Sequence, residues 1–524
     1  MNLIFLTQSK TVSIFFDVAQ AIAEIAPGNK NGFYISDSSF FNKYTKDNPV
    51  ISSGAYELLK EWEIVAQSRK VQPDIEQLKE YEKKYGDPVL WNALVADRRI
   101  YLGKRATLEQ DYPSRFNHER MMAILQGCLQ EMELLFDRVR PDAVVGFICV
   151  TIGEYVAYLI AKARNIPFIN LRPTRIKNYF YAGESVLEPS ERLKVFYHKM
   201  LESGIPEKLE QDASEYLDGV RRTHAMYEGV IPAEKIDSNV AEPKEQISRK
   251  LTRKLNTIAD MAGQYCRYNF GKYSDDNSHR GVLYQQWFTR IKRPSRNRFV
   301  ELCMKRHYLS PEDLKSMDYA FFPLHKEPEV TLLVYSRPYL NQIEVVRCFA
   351  RSLPVGMKLV VKEHPGAIGY RRFSYYKKLL AIPNVLLALP NMTSRQLIKS
   401  ARLVTVIAGS VGLEALMLKK PVVTLGRVPF NFLPKGMIRH VQDLDQLGWE
   451  IHDLLESHNH NEKNIIAYVS AVIENSVQVD FYSVLLGRKG VYQPGSNTQN
   501  KGKEYQAQIG KFSDYIMGIT KINM

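Results

Sequence analysis

Cysteine is scarce in this 524-residue sequence. The five that occur, Cys128, Cys149, Cys266, Cys303 and Cys348, are odd in number, widely scattered and form no CxxC pair. That excludes a disulfide scaffold and leaves no zinc or dithiol motif, so a reducing, cytoplasmic setting fits best. Long apolar runs are missing too. No stretch approaches the roughly 18 uninterrupted apolar residues that a spanning helix needs, so membrane contact, if any, is expected to be peripheral. The N-terminus reads MNLIFLTQSK, with Lys10 after the apolar run rather than before it. This is not the order of a secretory signal, and Leu3 to Leu6 reads as a first core strand. There is no GxxxxGK[ST], HExxH or GxSxG motif, which disfavours a P-loop nucleotidase, a zincin or an ordinary α/β-hydrolase. No helix-turn-helix, RRM or zinc-finger signature accompanies the basic charge, so nucleic acid is not the expected partner.

What is present is a globular composition, 45% hydrophobic and 24% charged, long enough for two or three packed domains. Lys and Arg number 71 against 57 Asp and Glu, a net charge of +14 that favours an anionic partner. Up to about residue 187 apolar strands alternate with helical patterns: Leu3 to Leu6, a helix near Asp17 to Ile25, Gly32 to Ile35, then a βαβ piece from Ala143 to Leu171. From Asp318 the alternation returns, with strands at Tyr319 to Phe322, Lys358 to Lys362, Val385 to Leu387, Leu403 to Ile407 and Val422 to Leu425. One strand per helix implies a mostly parallel, doubly wound sheet with ligands beyond the carboxyl ends of its strands. Between the halves run amphipathic helices rich in Arg249, Lys250, Arg253, Lys254, Arg290, Lys292, Arg293, Arg296 and Arg298, interleaved with Tyr265, Tyr268, Trp287 and Phe288. This stretch reads either as a solvated helical linker or as a face for anionic headgroups of the inner membrane or a polyanionic glycan. The expected organisation is an α/β fold of two Rossmann-like domains, residues 1–187 and 316–485, facing a cleft. A basic helical insert, 188–315, lies between them, and 486–524 is expected to be a flexible tail of little functional weight.

Two segments carry chemistry. In LVVKEHPGAIGYRR a strand ends in Lys362, Glu363, His364 and Pro365. At the carboxyl end of a parallel strand, a lysine and a histidine can bind phosphate or polarise a leaving group, although alone a strand-end histidine is as readily structural. In LVTVIAGSVGLEALMLKKPVVTLG a strand runs into Ala408-Gly409-Ser410 and then a helix. Glycine lets the backbone approach a phosphate, and the first-turn amides and helix dipole favour negative charge, with the Ser410 hydroxyl as a further donor. Glu414, one turn on, is placed to accept from ribose hydroxyls; the competing reading makes Ser410 an N-cap and Glu414 a first-turn acid. In the N-terminal half, Arg172 and Arg175 follow the strand Phe168 to Leu171 and suit a clamp for an anionic sugar or phosphate, or are simply surface arginines. Glu154, starting a helix after the strand Ala143 to Phe147, is the candidate acceptor base, or a structural first-turn acid. Asp443-Leu-Asp445 has the letters of a metal-binding DxD but not the setting of a strand edge.

Four segments in order, FFPLHKEPEVTLLVYSRPYLNQ, LPVGMKLVVKEHP, IPNVLL and GSVGLEALMLKKPVVTLG, resemble the capsule polysaccharide biosynthesis family, which includes Kdo-transferase-like enzymes. The resemblance covers about Asp318 to Gly426; the N-terminal half is similar only loosely, through PDAVVGF, GEYVAYLIAKARNIPFINLRPTR and YAGES. It implies a bacterial glycosyltransferase of the GT-B type that needs no metal or other cofactor. Such an enzyme transfers a sugar from a nucleotide-activated donor, CMP-linked on the analogy with sialyl- and Kdo-transferases, to a lipid-linked or growing glycan. On that analogy His364 and Pro365 contact the donor nucleotide, Lys362 and His364 act on its phosphate, and Gly409, Ser410 and Glu414 complete the pocket. The turn reads AGS where many relatives carry a Ser-Thr pair, so the phosphate contact is expected to lean on backbone amides. The rivals are a sugar-nucleotide epimerase of the same fold and a non-catalytic glycan-binding module of polysaccharide assembly or export.

Overall fold

The computed structural model describes residues 1–52, 54–86, 88–101, 114, 116–187, 189–223, 226–227, 259, 262–263, 265–266, 287–487 and 501–523. The N-terminal unit is built on β1 (Leu3–Thr7), β2 (Gly32–Ile35), β3 (Glu57–Lys60), β4 (Ala143–Phe147), β5 (Phe168–Pro173) and β6 (Tyr179–Gly183). The C-terminal unit is built on β7 (Tyr308–Leu309), β8 (Tyr319–Pro323), β9 (Lys358–Lys362), β10 (Val385–Ala388), β11 (Leu403–Val406), β12 (Val422–Thr424) and β13 (Ile438–His440). A last strand, β14 (Ser476–Gln478), returns to the N-terminal sheet.

Each sheet has seven strands, in the orders β14-β6-β5-β4-β1-β2-β3 and β13-β12-β11-β8-β9-β10-β7. Every pairing in the second sheet is parallel; in the first, only β5 with β6 and β6 with β14 are antiparallel. Strands such as LIFLT and LVTV are buried along their whole length because helices cover both faces of a parallel sheet. The fold class is therefore the expected one, two Rossmann-like α/β units. In each sheet one strand is flanked on both sides by strands that follow it in the chain: β1 lies between β2 and β4, and β8 between β9 and β11. Chain direction around the sheet reverses there, which opens a crevice at the carboxyl ends.

The unit boundaries differ from the expected ones. Helices Glu191–Ser203 and Glu207–Thr223 do not form a free-standing insert. Leu193, Tyr197, Met200, Leu217 and Val220 join the core of the C-terminal unit. There Arg221 pairs with Glu462 at 2.7 Å, and Ser470 Oγ donates to the Leu209 carbonyl at 3.3 Å. With β7 on the sheet edge as well, the C-terminal unit begins near Glu191 rather than at 316. Of the basic and aromatic stretch, residues 249–254 and Tyr268 lie outside the described residues.

The tail is a second correction. Residues 488–500 lie outside the described residues, but Lys501–Asn523 is a helix that buries Ile509, Phe512 and Ile516 in the N-terminal core. Tyr505 donates to Asp17 at 2.6 Å, and Tyr515 accepts from the Ala182 amide at 3.0 Å. Spacings of 3 and 4 put those apolar residues on one stripe. The chain thus crosses back after Glu462–Glu474, and its last helix completes the first unit. A further tie is the turn Thr331–Tyr335, which belongs by sequence to the C-terminal unit yet packs Leu333 and Val334 into the N-terminal core.

Candidate functional site

The crevice predicted by topology is a cavity of about 690 Å³ between the units. From the C-terminal side it is walled by the segments following β8, β9 and β11, and from the N-terminal side by the segment following β5 and by Tyr181 of β6. Lys362, His364, Pro365, Gly409, Ser410, Glu414, Arg172 and Arg175 all line it, although they come from three separate stretches of chain. Glu154 does not. It sits in the N-terminal core, where its Oε2 accepts from the Val150 and Thr151 amides at 2.7 and 2.9 Å, closing a capping box with Thr151. Burial raises its carboxyl to about 8, so at neutral pH it is mostly protonated. The structure places it in the first-turn structural role rather than on the cleft wall.

The helix Ser410–Met417 starts at Gly409, whose extended backbone occupies the N-cap position without a capping side chain. Ser410 is therefore the first helical residue, not the cap, and the first-turn amides face the cavity without a side-chain competitor. A side chain at 409 would crowd the cavity wall: a Cβ there would lie 3.3 Å from Cε1 of His325.

His364 ends the β9 segment with its ring fixed: Nδ1 accepts from the Gly366 amide at 3.0 Å, which leaves the proton on Nε2 as a donor. Burial, opposed by Glu363 and reinforced by Lys362, Lys326 and Arg371, lowers its pKa below the ordinary imidazole value. Lys362 is buried, and desolvation lowers its ammonium pKa; its Nζ donates to the Glu363 carbonyl at 3.2 Å.

Sequence reasoning assigned no role to His325, Glu329, Tyr335 or Arg371. His325 follows β8 at the switch point and reaches the cavity. Among the described residues its Nε2 is buried without a hydrogen-bond partner, and its Nδ1 lies 4.0 Å from Glu329 Oε2. Burial, with His364 and Arg371 nearby, lowers it to about 3, so it is a neutral imidazole. Glu329, half-buried on the same wall, is raised by desolvation against the pull of Arg175, Lys326 and Arg98. Beneath this wall lies Arg371, fully buried. It ion-pairs with Glu363 and Glu327 and donates to the His325 carbonyl at 2.6 Å, locking the β8 and β9 segments together. The signal for these residues was the repeated lettering LHKEP and VKEHP, two strand ends with histidine, lysine and glutamate, whose proximity only the parallel pairing of β8 with β9 reveals.

On the facing wall Arg172 is held rather than free at the surface. Its Nε donates to Tyr335 at 3.3 Å and its guanidinium stacks 4.1 Å over that ring. Arg175 adopts the left-handed conformation, φ 65°, with its guanidinium 5.1 Å over Tyr227. A non-glycine residue there costs backbone energy, and such positions concentrate at working sites. Asp443 and Asp445 are elsewhere: Asp443 accepts from the Asp445 amide at 3.0 Å and caps a short helical turn.

The C-terminal wall coincides with a family match. Residues 314–439 match the model of the capsule polysaccharide biosynthesis protein family. Over that segment the capsule-family resemblance is borne out, and it takes in β8 to β13 with both histidine loops and the Gly409 turn. Among curated proteins none matches. Solved structures with similar folds include the beta Kdo 2,4 transferase of Thermosulfurimonas dismutans KpsC, at 11% identity over 70% of this chain and 87% of that one, TM-score 0.35. Another is the UDP-GlcNAc 2-epimerase of Methanocaldococcus jannaschii, at 12% identity over 90% and 98%, TM-score 0.25. Anabaena Alr3699/HepE in complex with UDP-glucose is similar at 9% identity over 99% and 100%, TM-score 0.25.

Proposed function

We propose that this protein is a glycosyltransferase of surface-polysaccharide assembly that moves a sugar from a nucleotide donor to a lipid-linked or growing glycan. The observation that carries the reading is a cavity in which an uncapped helix start and two histidines, both lowered below the ordinary imidazole pKa, face two held arginines across the unit boundary. The capsule-family match on the first of these walls supports it.

In this reading the donor phosphate rests on the amides of Ser410 and Val411, with the Ser410 hydroxyl beside it. His364 Nε2 donates to the phosphate oxygen as the glycosidic bond to it breaks, and Lys362 adds positive potential, electrostatic help of the kind that a buried site strengthens. Pro365 fixes the backbone behind His364, and Glu414 meets the ribose. A CMP-linked donor follows from the histidine-proline analogy. Arg172 and Arg175 hold an anionic acceptor or sugar carboxylate. Glu329, not Glu154, removes the acceptor hydroxyl proton as the new carbon–oxygen bond forms, since burial has raised its carboxyl toward useful basicity.

Product analysis tests this. Purified protein is incubated with CMP- and UDP-sugars, with and without a membrane-extracted glycan acceptor, and the sugar products are separated. The reading requires free nucleotide and an extended glycan, both dependent on acceptor. A free epimerised sugar nucleotide without acceptor would make the protein an epimerase, and glycan binding with no donor consumption would make it a non-catalytic module.

A further inference from the structure

The helix that enters the C-terminal unit has an outer face that nothing in the cleft uses. Its rod runs from Phe288–Lys292, one wide turn, straight into Arg293–Met304. The inner face is anchored: Phe288, Val300 and Met304 are buried, Arg293 Nε donates to the Ile368 carbonyl at 2.9 Å, and Arg296 donates to the Tyr370 carbonyl. Gly369 makes the close approach possible. It has φ 76°, and a Cβ there would fall 2.8 Å from the Arg293 carbonyl oxygen. The rod therefore cannot shift without moving the loop that holds His364, Pro365 and Ile368 against the cavity.

The outer face combines two features that rarely coincide on a solvated helix. Ile291, Phe299 and Leu302 are 58%, 54% and 78% exposed, with Trp287 at 45%. Around them Arg290, Arg298, Lys305 and Arg306 are exposed, against the single exposed acid Glu301 on the same rod. A buried protein partner would match shape, but large apolar side chains ringed by flexible cations match a bilayer surface. There the apolar groups enter the boundary between headgroups and acyl chains while the cations meet lipid phosphates. Among the described residues no helix is long and apolar enough to cross a membrane, so this contact is one that lies on the surface.

We infer that the outer face of residues 287–306 docks the protein on anionic phospholipid, setting the histidine loop and its cavity beside the membrane surface. The inference does not depend on which reaction the cavity runs.

The test is co-sedimentation of the full-length protein with vesicles of phosphatidylcholine alone or with 30% phosphatidylglycerol, at low and high salt. Two variants accompany it, Ile291→Asp with Leu302→Asp, and Arg298→Glu with Lys305→Glu. All four residues are exposed, and the thermal midpoint is measured to show that each variant folds. The expected result is binding to the phosphatidylglycerol vesicles only, weakened by salt and at least tenfold by either double substitution. Binding that persists in the apolar variant overturns the proposal by placing the lipid contact elsewhere. Equal binding to neutral vesicles also overturns it. So does capture by heparin, unaffected by the apolar pair and without vesicle binding, which would assign the face to a polyanionic glycan.

Discussion

At the scale of single residues, buried Glu154 and half-buried Glu329 separate a structural carboxyl from a proposed working one. Glu154 is protonated at neutral pH and serves a capping box, a role that glutamine also fills. Glu154→Gln is therefore expected to leave turnover within about twofold of wild type, whereas Glu329→Gln, which removes the proposed base, lowers kcat by about 10²–10⁴. Steady-state rates on one donor and acceptor pair check both, and the opposite ranking would restore Glu154 as the base. His325 gives a pH prediction. Its pKa is about 3 when folded and about 6.5 when unfolded, so between those values the unfolded chain holds a proton that the native site refuses. Native stability from this group is intact above about pH 6.5 and is lost at about 1.4 kcal/mol per pH unit as pH falls toward 3. Because Glu154 and Glu61 are raised and titrate with the opposite sign, the clean observable is a difference. Relative to wild type, His325→Gln should gain about 1.4 kcal/mol between pH 7.5 and 5.5 in urea unfolding. No relative gain would mean that His325 is solvated.

At the scale of elements, the main core strands and the two chemical loops were legible in the sequence, and their order in the sheet and partners across the chain were not. The runs at Lys358 to Lys362 and Leu403 to Ile407 announced buried parallel strands by continuous apolar residues, and a glycine before a helix announced an anion site. Nothing in local pattern says that β8 lies between β9 and β11, which is what brings His325 against Gly409. The last helix was hidden for a different reason. Its apolar residues are diluted by lysine, glutamine and glycine, and the polar stretch before it dominates composition, so its stripe of Ile509, Phe512 and Ile516 carried little weight. Helices Glu191–Ser203 and Glu207–Thr223 read as a linker because their partner, Glu462–Glu474, is some 250 residues away. The packing of the last helix is testable. Phe512 is fully buried beside Phe180 and Phe481, and Phe512→Ala should cost about 3–5 kcal/mol in urea unfolding. A cost below 1 kcal/mol would detach the helix from the core.

At the scale of the whole molecule, the two units are interlocked. Chain crosses between them before β7, at the Thr331–Tyr335 turn and again at β14, and Arg337 donates to Tyr155 at 3.2 Å across the boundary. A molecule joined this way should melt as one cooperative unit, with calorimetric and van't Hoff enthalpies agreeing; two resolved transitions would show that the units fold independently. The same interlocking holds the arginine wall opposite the histidine wall, on which the proposed transfer depends. The measurement that tests that account most directly is calorimetric titration of wild type and His364→Ala with CMP, CDP, UDP and GDP. The account predicts that CMP binds at one site and that the variant weakens it at least about tenfold, the worth of a hydrogen bond to a charged group. Nucleotide affinity unchanged in His364→Ala, or none at all in folded protein, would contradict it.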